Sequence, residues 1–350
     1  MNMKDIIPHS RPTLGKEEAS AAAKVVMSGH VSQGPRVREF EKALSKFIGV
    51  RDAVAVSSGT AALHLGLLAM GIGKKDEVIL PSYVCTAPLN AVCQTGARPV
   101  LADIEMESFN ISSGGVNDVK TRDSKAVIVP HMFGAPADME SIAGTGVPII
   151  EDLAHSIGAF YGRKRAGSFG RCAIASFYAN KMMAAGEGGA VLSNDKRFLD
   201  SVRDLREYDN KEDYEQRYNY KMSDILAAVG MVQLKKLPTM IKKRKKLAKV
   251  YDKALAASGY ALPKGEFDHV YYRYVVRFSE GIEKLLRQAK ERGVLLARPV
   301  YKPLHRYLEM RTGFRNSDNA YSTAISLPIY PTLSRQEQNR VIKVLMSYSS

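Results

Sequence analysis

The chain has 350 residues, 51 Lys and Arg against 36 Asp and Glu for a formal net charge of +15, 45% hydrophobic residues, three Cys and no Trp. The apolar share excludes a disordered chain, and three cysteines are too few for a disulfide-stapled miniprotein. What remains is a soluble globular protein of one large or two modest domains, long enough to bury a sizeable core without metals or crosslinks.

In chain order, the N-terminal MNMKDIIPHSRP has no apolar run before Pro8 and no small-residue cleavage pattern, so no secretory signal is expected and the chain is assigned to the cytoplasm. A helical pattern follows from Lys16 to Met27. Two charge-free windows, Ala53 to Gly73 and Val78 to Ala97, approach the roughly 20 apolar residues of a membrane span. Ser57, Ser58, Gly59, Thr60 and His64 interrupt the first, and Pro81, Pro88, Asn90 and Gln94 the second, so both read as buried strand-turn-helix segments and no membrane span is expected. From residue 50 the runs AVAVS, EVILP, PVLAD, AVIVP, PIIED, AIASF and AVLSN alternate with helical stretches such as TAALHLGLLAM and APLNAVCQT. This alternation predicts an α/β fold, a mostly parallel sheet with helices on both faces and binding residues at the carboxyl ends of strands. After about residue 235 the pattern changes to a long basic helix, a Tyr-rich strand from Val270 to Phe278, a helix near Ile282 to Arg292 and a closing helix from Arg335 to Met346. The expected division is therefore an N-terminal segment with a large domain over 1–235 and a smaller α+β domain over 236–350.

Residues 235–249, KKLPTMIKKRKKLAK, carry eight Lys/Arg and no acid, more than half of the net charge. Such a run can bind a polyanion. Leu237, Met240, Ile241, Leu247 and Val250 recur among the charges at helical spacing, however, which describes a solvated helix face, and no nucleic-acid-reading module accompanies it. Attraction of an anionic small-molecule substrate is a third use for the charge. Cys85, Cys93 and Cys172 lack C-x-x-C spacing, so neither a metal site nor a redox pair is expected, and each reads as a small buried hydrophobe.

Three features could carry chemistry. Ser57-Ser58-Gly59-Thr60 lies between a strand-like and a helix-like run, where free N–H groups and the helix dipole favour an anion such as phosphate; the same residues would also serve merely to cap the helix. Glu151-Asp152 ends the apolar run GVPII, so a carboxylate at a buried strand end needs a cation or a donor, or else caps the next turn. His155 follows, either against the same ligand or as a satisfied core histidine. Lys181 stands between CAIASFYAN and Gly186-Glu187-Gly188-Gly189, where a lysine is either a carbonyl-directed nucleophile or an ordinary loop lysine. Jointly, a phosphate cradle, an acid for a pyridine nitrogen and a Schiff-base lysine are what pyridoxal 5'-phosphate requires.

These motifs resemble the DegT/StrS-type sugar-nucleotide aminotransferases, pyridoxal-phosphate enzymes of the aspartate-aminotransferase fold (fold type I). The match runs nearly end to end: SGHVSQGPRVREFEKAL (28–44), SSGTAALHLGLLAMGIGKKDEVILPSY (57–83), EDLAHSIGA (151–159), SFYANKMMAAGEGGAVLSND (176–195), YNYKMSDILAAVGMVQLKKL (218–237), RPVYKPLH (298–305) and SLPIYPTLS (326–334). The resemblance implies a seven-stranded-type sheet. It implies that Lys181 carries the cofactor and later shuttles a proton, that Asp152 pairs with the pyridinium nitrogen, and that His155 lies next to the ring. Gly59, Thr60 and Ser176 would bind the phosphate. Asn219 would reach it from the partner subunit, making a homodimer with shared active sites. No metal enters this chemistry.

The implied reaction moves an amino group from an amino acid, usually L-glutamate, to a nucleotide-linked keto-sugar; His155 in EDLAH and the Asn180-Lys181 pair lean toward amination at C4 rather than C3. Two departures stand out. Cys85 replaces the aromatic that usually stacks on the cofactor ring, with Tyr83 as a substitute, and LREYDNKEDY (205–214) lacks the usual His-Gly. Arg298 and His305 match a variant of the substrate-side motif, or else belong to a turn fixed by Pro299 and Pro303. Competing readings are a keto-sugar dehydratase, whose cofactor lysine is replaced by His, and a pyridoxal-phosphate-binding regulator without turnover.

Overall fold

The computed structural model describes residues 6–263, 268–278 and 282–348. Residues 1–5, part of the segment read above as lacking a leader pattern, lie outside them. Two helices come first, α1 (Lys16–Ser28) and α2 (Pro35–Ile48), each closed by a glycine in the left-handed conformation, Gly29 (φ 75°) and Gly49 (φ 89°). Strands and helices then alternate: β1 (Asp52–Val56), α3 (Gly59–Ala69), β2 (Glu77–Pro81), α4 (Thr86–Gln94), β3 (Arg98–Ala102), α5 (Ser113–Val119), β4 (Ser124–Pro130), α6 (Met139–Ala143) and β5 (Ile149–Asp152). A small hairpin, β6 (Phe160–Tyr161) and β7 (Lys164–Arg165), precedes β8 (Cys172–Ser176), β9 (Gly189–Ser193), α7 (Lys196–Arg206) and the long α8 (Asp224–Leu255). The chain ends in β10 (Tyr274–Arg277), α9 (Ile282–Glu291), α10 (Leu304–Tyr307), α11 (Arg315–Thr323), β11 (Ala324–Leu327) and α12 (Arg335–Met346).

The seven strand-like runs of the sequence are the seven strands of one sheet, ordered β1-β9-β8-β5-β4-β2-β3. Only β9 runs against the others, antiparallel to both β1 and β8. Alternation within β1 shows how both faces are filled: Val54 and Val56 join the core under α3, α4 and α7, whereas Ala53 and Ala55 join the core under α2 and α8. A further apolar cluster of Tyr251, Leu255, Tyr274, Leu285, Val294 and Leu345 serves the C-terminal elements. Helix α8 belongs to both, placing Ala227, Leu234 and Leu237 in the sheet's core and Ala248, Tyr251 and Leu255 in the C-terminal one. The N-terminal segment joins them too, since Ile7 bridges to Val294 and Gln233 on α8 bonds Glu18 on α1 at 2.8 Å. Among the described residues no helix is long and apolar enough to cross a membrane.

The carboxyl ends of β2 and β3 are occupied by the C-terminal elements. Ser82 bonds the His305 ring at 2.7 Å, and Asp103 accepts from Asn316 N (2.8 Å), Ser317 N (2.9 Å) and Ser317 Oγ (2.6 Å) at the start of α11. That leaves the ends of β1, β8 and β5 for a ligand.

Two expectations need correction. Cys85 and Cys93 are exposed, because Cys85 is the N-cap of α4 and Cys93 lies on that helix's solvent side; only Cys172 is buried. The Tyr-rich strand is shorter than Val270 to Phe278: Tyr271 has φ 54°, and Arg244 Nη1 donates to the carbonyls of Tyr271 (3.1 Å) and Tyr272 (3.2 Å), so pairing begins only at Tyr274.

Asp224 shows how the helices are locked together. It is 1% exposed, at the start of α8, and accepts from the backbone N–H groups of Gly34 (2.8 Å), Arg36 (3.2 Å) and Val37 (2.9 Å) at the start of α2. Asp224→Ala strands these donors and is expected to cost about 3 kcal/mol of stability, read as a lower urea midpoint at unchanged slope.

Candidate active site

The Ser57–Thr60 turn leaves β1 and opens α3, with the Ser58 hydroxyl accepting from Ala61 N–H at 3.0 Å as an N-cap. Backbone pairs tie this turn to the neighbouring strands: Ser58 bridges to Gly188, and Phe177 N–H donates to the Gly188 carbonyl at 2.8 Å. The packing requires glycine. A Cβ on Gly59 would lie 2.8 Å from Ser176 Cβ, and one on Gly189 would overlap the Ser58 carbonyl. Gly59, Thr60 and Ser176 are thus brought together at a helix N-terminus, where free N–H groups and the dipole attract an anion.

Two successive carboxylates end β5 and point to opposite faces of the strand. Glu151 is fully buried and fully engaged, accepting from Gly167 N (2.6 Å), Phe169 N (2.6 Å), Gly170 N (2.7 Å) and His131 Nε2 (3.2 Å). Because Ala137 N–H donates to His131 Nδ1 at 3.0 Å, the ring proton sits on Nε2 and faces Glu151. Asp152 is 7% exposed, and its Oδ1 accepts from Ala154 N at 2.8 Å, so the local cap expected as an alternative is present. Its other oxygen has no hydrogen-bond partner among the described residues. Burial raises the Asp152 carboxyl above the usual carboxylate range, against the opposing pull of the Ala154 N–H, Lys181 and His131.

Lys181 follows β8 in a tight turn, its N–H donating to Tyr178 O at 2.9 Å, and its charge acts on both Asp152 and His155. Its Nζ stands 5.3 Å from the centroid of the Tyr272 ring. His155 stacks on that same ring at 4.2 Å and 18°, with Phe133 at 6.2 Å and 15° beyond it. Burial, followed by the charges of Lys181 and Arg273, holds His155 well below its ordinary pKa, so the ring is neutral.

Lys181, Asp152 and His155 therefore share one cluster. Asn219 is exposed, between Tyr218 and Tyr220, whose N–H groups bond Leu205 O and Arg206 O. Tyr83, Arg298 and His305 do not join the cluster. Tyr83 is fully buried between Phe109 and Phe133 with its hydroxyl donating to Ala320 O at 3.3 Å, so it presents no ring face to a cofactor. His305 is held between Ser82 and Asp318 (3.1 Å) and stacks on Phe314 at 4.6 Å, in the seam that docks the C-terminal elements. Arg298 bonds the Tyr321 carbonyl and Glu283. Conversely, Tyr272, Arg273 and His9 come to the cluster without being singled out in the sequence, alongside Asn180, which precedes Lys181; the one local signal is an arginine inside the aromatic run Tyr271–Tyr274.

Two outcomes follow for the protein's own residues. Gly59→Ala pushes against Ser176 and is expected to weaken pyridoxal phosphate binding roughly tenfold, measured by titration of the visible absorption band. A carboxyl with a raised folded-state pKa holds its proton more tightly folded than unfolded, so it favours the fold at low pH and loses stability as pH climbs from about 4 through the raised value. Asp152→Asn without cofactor is thus expected to melt above wild type at pH 7, with the gap closing near pH 4; equal melting points at pH 7 would show the carboxylate already compensated.

Residues 12–346 match the DegT/DnrJ/EryC1/StrS aminotransferase family. Among solved structures, the aminotransferase TlmJ from Streptoalloteichus hindustanus is 29% identical with a TM-score of 0.93 and 98% of both chains covered. S. venezuelae DesV, solved in complex with a ketimine intermediate, is 30% identical with a TM-score of 0.90, covering 95% of this chain and 94% of that one. A DegT DnrJ EryC1 StrS aminotransferase from Brucella abortus is 28% identical, with a TM-score of 0.88 and 95% of each chain covered. With its lysine, its strand-end aspartate and its glycine-lined helix N-terminus on a fold type I sheet, the chain belongs to the DegT/DnrJ/EryC1/StrS family of pyridoxal-phosphate-dependent aminotransferases.

Proposed function

We propose that this aminotransferase moves an amino group from L-glutamate to a nucleotide-linked keto-sugar, at C4, for amino-sugar biosynthesis in the cytoplasm. The observation that carries the transfer chemistry is Asp152 at the end of β5, whose second oxygen has no hydrogen-bond partner among the described residues, within the field of Lys181 and with the neutral His155 under the same charge. The nucleotide part is supported by the chain's net charge of +15, which favours a pyrophosphate-bearing substrate. C4 is favoured by His155 in its EDLAH setting.

The donor set fits pyridoxal phosphate. Gly59, Thr60 and Ser176 would receive its phosphate, Asp152 its ring nitrogen, and Lys181 its carbonyl. When bound, the cofactor supplies an electron sink for the carbon that loses its proton. Asp152 would offer its second oxygen to the ring nitrogen. His155, being neutral, would add no charge repulsion beside the ring. Lys181 would hold the proton that leaves the substrate carbon.

A homodimer with shared sites is part of the same reading. It is supported by the exposure of Asn219 and of the aromatic residues Tyr178 (47%), Tyr208 (56%) and Tyr214 (98%).

Purified protein with pyridoxal phosphate is expected to show a visible band that L-glutamate bleaches, and Lys181→Ala to show no turnover. A band that persists with glutamate and with every other amino acid would favour cofactor binding without turnover. Lys181→Ala subunits, inactive alone, and Asn219→Ala subunits, weak alone, are expected to give more activity when mixed than either alone, because each hybrid dimer then holds one intact site. No recovery on mixing would remove the shared-site dimer.

A further inference from the structure

The opposite edge of the sheet carries a cleft that the chemistry above does not use. Pairing of β1 with β9 runs from Val56–Gly189, beside the Ser58 turn, to Asp52–Ser193, about 13 Å away along the strands. At that far end Ile48 and Gly49 lead into β1 and Asn194 leaves β9, and all three line a cleft of about 890 Å³. The end of α2, the β6–β7 hairpin and the middle of α8 form its walls.

Five cations line the cleft, Lys46, Arg163, Lys164, Arg165 and Lys235, and no acidic side chain does. None of the five pairs with a carboxylate among the described residues. Two acids in the neighbourhood are engaged elsewhere: Asp195, next to Asn194, with Arg171 at 2.7 Å, and Asp268, whose charge acts on Arg165, with Lys245. Burial pulls the Arg165 pKa below its ordinary value, so this guanidinium has lost part of its water without gaining a paired counter-ion. Like charges gathered in this way repel one another and attract an anion.

The hairpin holds these cations in place. Phe160 and Arg165 are cross-strand partners, and the Arg165 guanidinium carbon stands 4.4 Å from the Phe160 ring centroid and 4.2 Å from that of Phe47 on α2. With two rings against it the guanidinium is fixed, and its N–H edges make only one contact, 3.5 Å from Nη1 to the Gly158 carbonyl. The two-residue turn Gly162-Arg163, with Gly162 at φ 59°, sets Arg163 and Lys164 beside it.

The rest of the cleft is apolar, formed by Ala43, Ile48, Leu234 and Pro238. Its two uncharged polar side chains are already bonded locally, Ser168 Oγ to the Arg165 carbonyl at 2.7 Å and Asn194 Oδ1 to the Arg51 N–H at 2.9 Å. A simple inorganic anion has no use for such a wall, and an apolar ligand has none for the cations. A flat ring joined to a compact multivalent anion uses both, and the volume is that of a small-molecule site.

We propose that this cleft binds a nucleoside diphosphate, with its diphosphate on Arg163, Lys164 and Arg165 and its base on the Ala43, Leu234 and Pro238 wall, at a site separate from Lys181. The site goes beyond the amino-transfer reading and does not depend on it. Lys46 and Lys235 flank the diphosphate and add charge.

The test is calorimetric titration of the cofactor-loaded protein with ADP, adenosine and inorganic pyrophosphate at one low salt concentration. ADP is expected to bind at least roughly tenfold more tightly than adenosine, which lacks the charge, and than pyrophosphate, which lacks the ring. The double variant Arg163→Glu/Lys164→Glu is expected to weaken ADP by roughly a hundredfold, while the cofactor band and its response to amino acids stay as in wild type. Arg165→Leu should weaken ADP as well. If Arg165→Leu does not fold, the double variant decides, because both of its positions are exposed on the hairpin.

Equal ADP affinity in wild type and in the double variant would overturn the proposal, since any ADP bound would then lie elsewhere. Pyrophosphate binding as tightly as ADP would overturn the nucleotide assignment and leave an inorganic anion site. A single-stranded oligonucleotide that displaces ADP with an affinity rising with its length would overturn it in favour of a polyanion surface along α8.

Discussion

The edge of the sheet that carries Ser176 and Lys181 depends on how closely the Ser57–Thr60 turn lies across the ends of β8 and β9. Backbone contact there is so tight that side chains are excluded at Gly59 and Gly189, and Gly188 adopts φ +134° to let Phe177 N–H reach its carbonyl. Because β9 runs opposite to its neighbours, its first residues meet the last residues of β1 and β8 at one edge. The helix N-terminus, the Ser176 hydroxyl and the glycine turn after Lys181 are thereby fixed relative to one another by backbone geometry, which is more rigid than side-chain contact. The ends of β2 and β3 could have offered a similar setting, but Ser82 and Asp103 are used there to hold the C-terminal elements.

Charge is distributed with the same division of labour. Glu151 and Asp152 are adjacent in sequence, but the period of two in a strand sends them to opposite faces. One is met by three backbone donors and a histidine, which hold the turn after β7 and the end of β4 to the end of β5. The other keeps an oxygen without a hydrogen-bond partner among the described residues and has its pKa raised by burial, which is a liability for stability.

What the sequence made legible follows from chain locality. All seven strands could be read because each is a short apolar run bounded by breakers, and Asp152, Ser176 and Lys181 could be read because they sit at or just after the ends of those runs. Arg273 and His9 meet across 264 positions, so no spacing announces them. Tyr272 was visible only as one aromatic among several in a strand-like segment, and its place against His155 depends on where that segment stops being a strand. The expectation that Tyr83 would substitute for the residue replaced by Cys85 took ring type without burial into account. Tyr83 is committed to the core, whereas Cys85 caps a helix at the surface.

The basic run on α8 was read as a solvated helix face, and most of its lysines fit that description, but Arg244 does not. It is 5% exposed, and its guanidinium gathers three carbonyls from the segment before β10 and from Ile329. Taking those carbonyls out of strand pairing delays the start of β10 to Tyr274 and leaves Tyr272 and Arg273 outside the ladder, with the Tyr272 ring against Lys181 and His155. The same helix reaches from the sheet's core to the C-terminal core. A shift of α8 would therefore move Arg244, and with it Tyr272, which lies against Lys181 and His155, so the geometry of the cluster is tied to the seating of one helix.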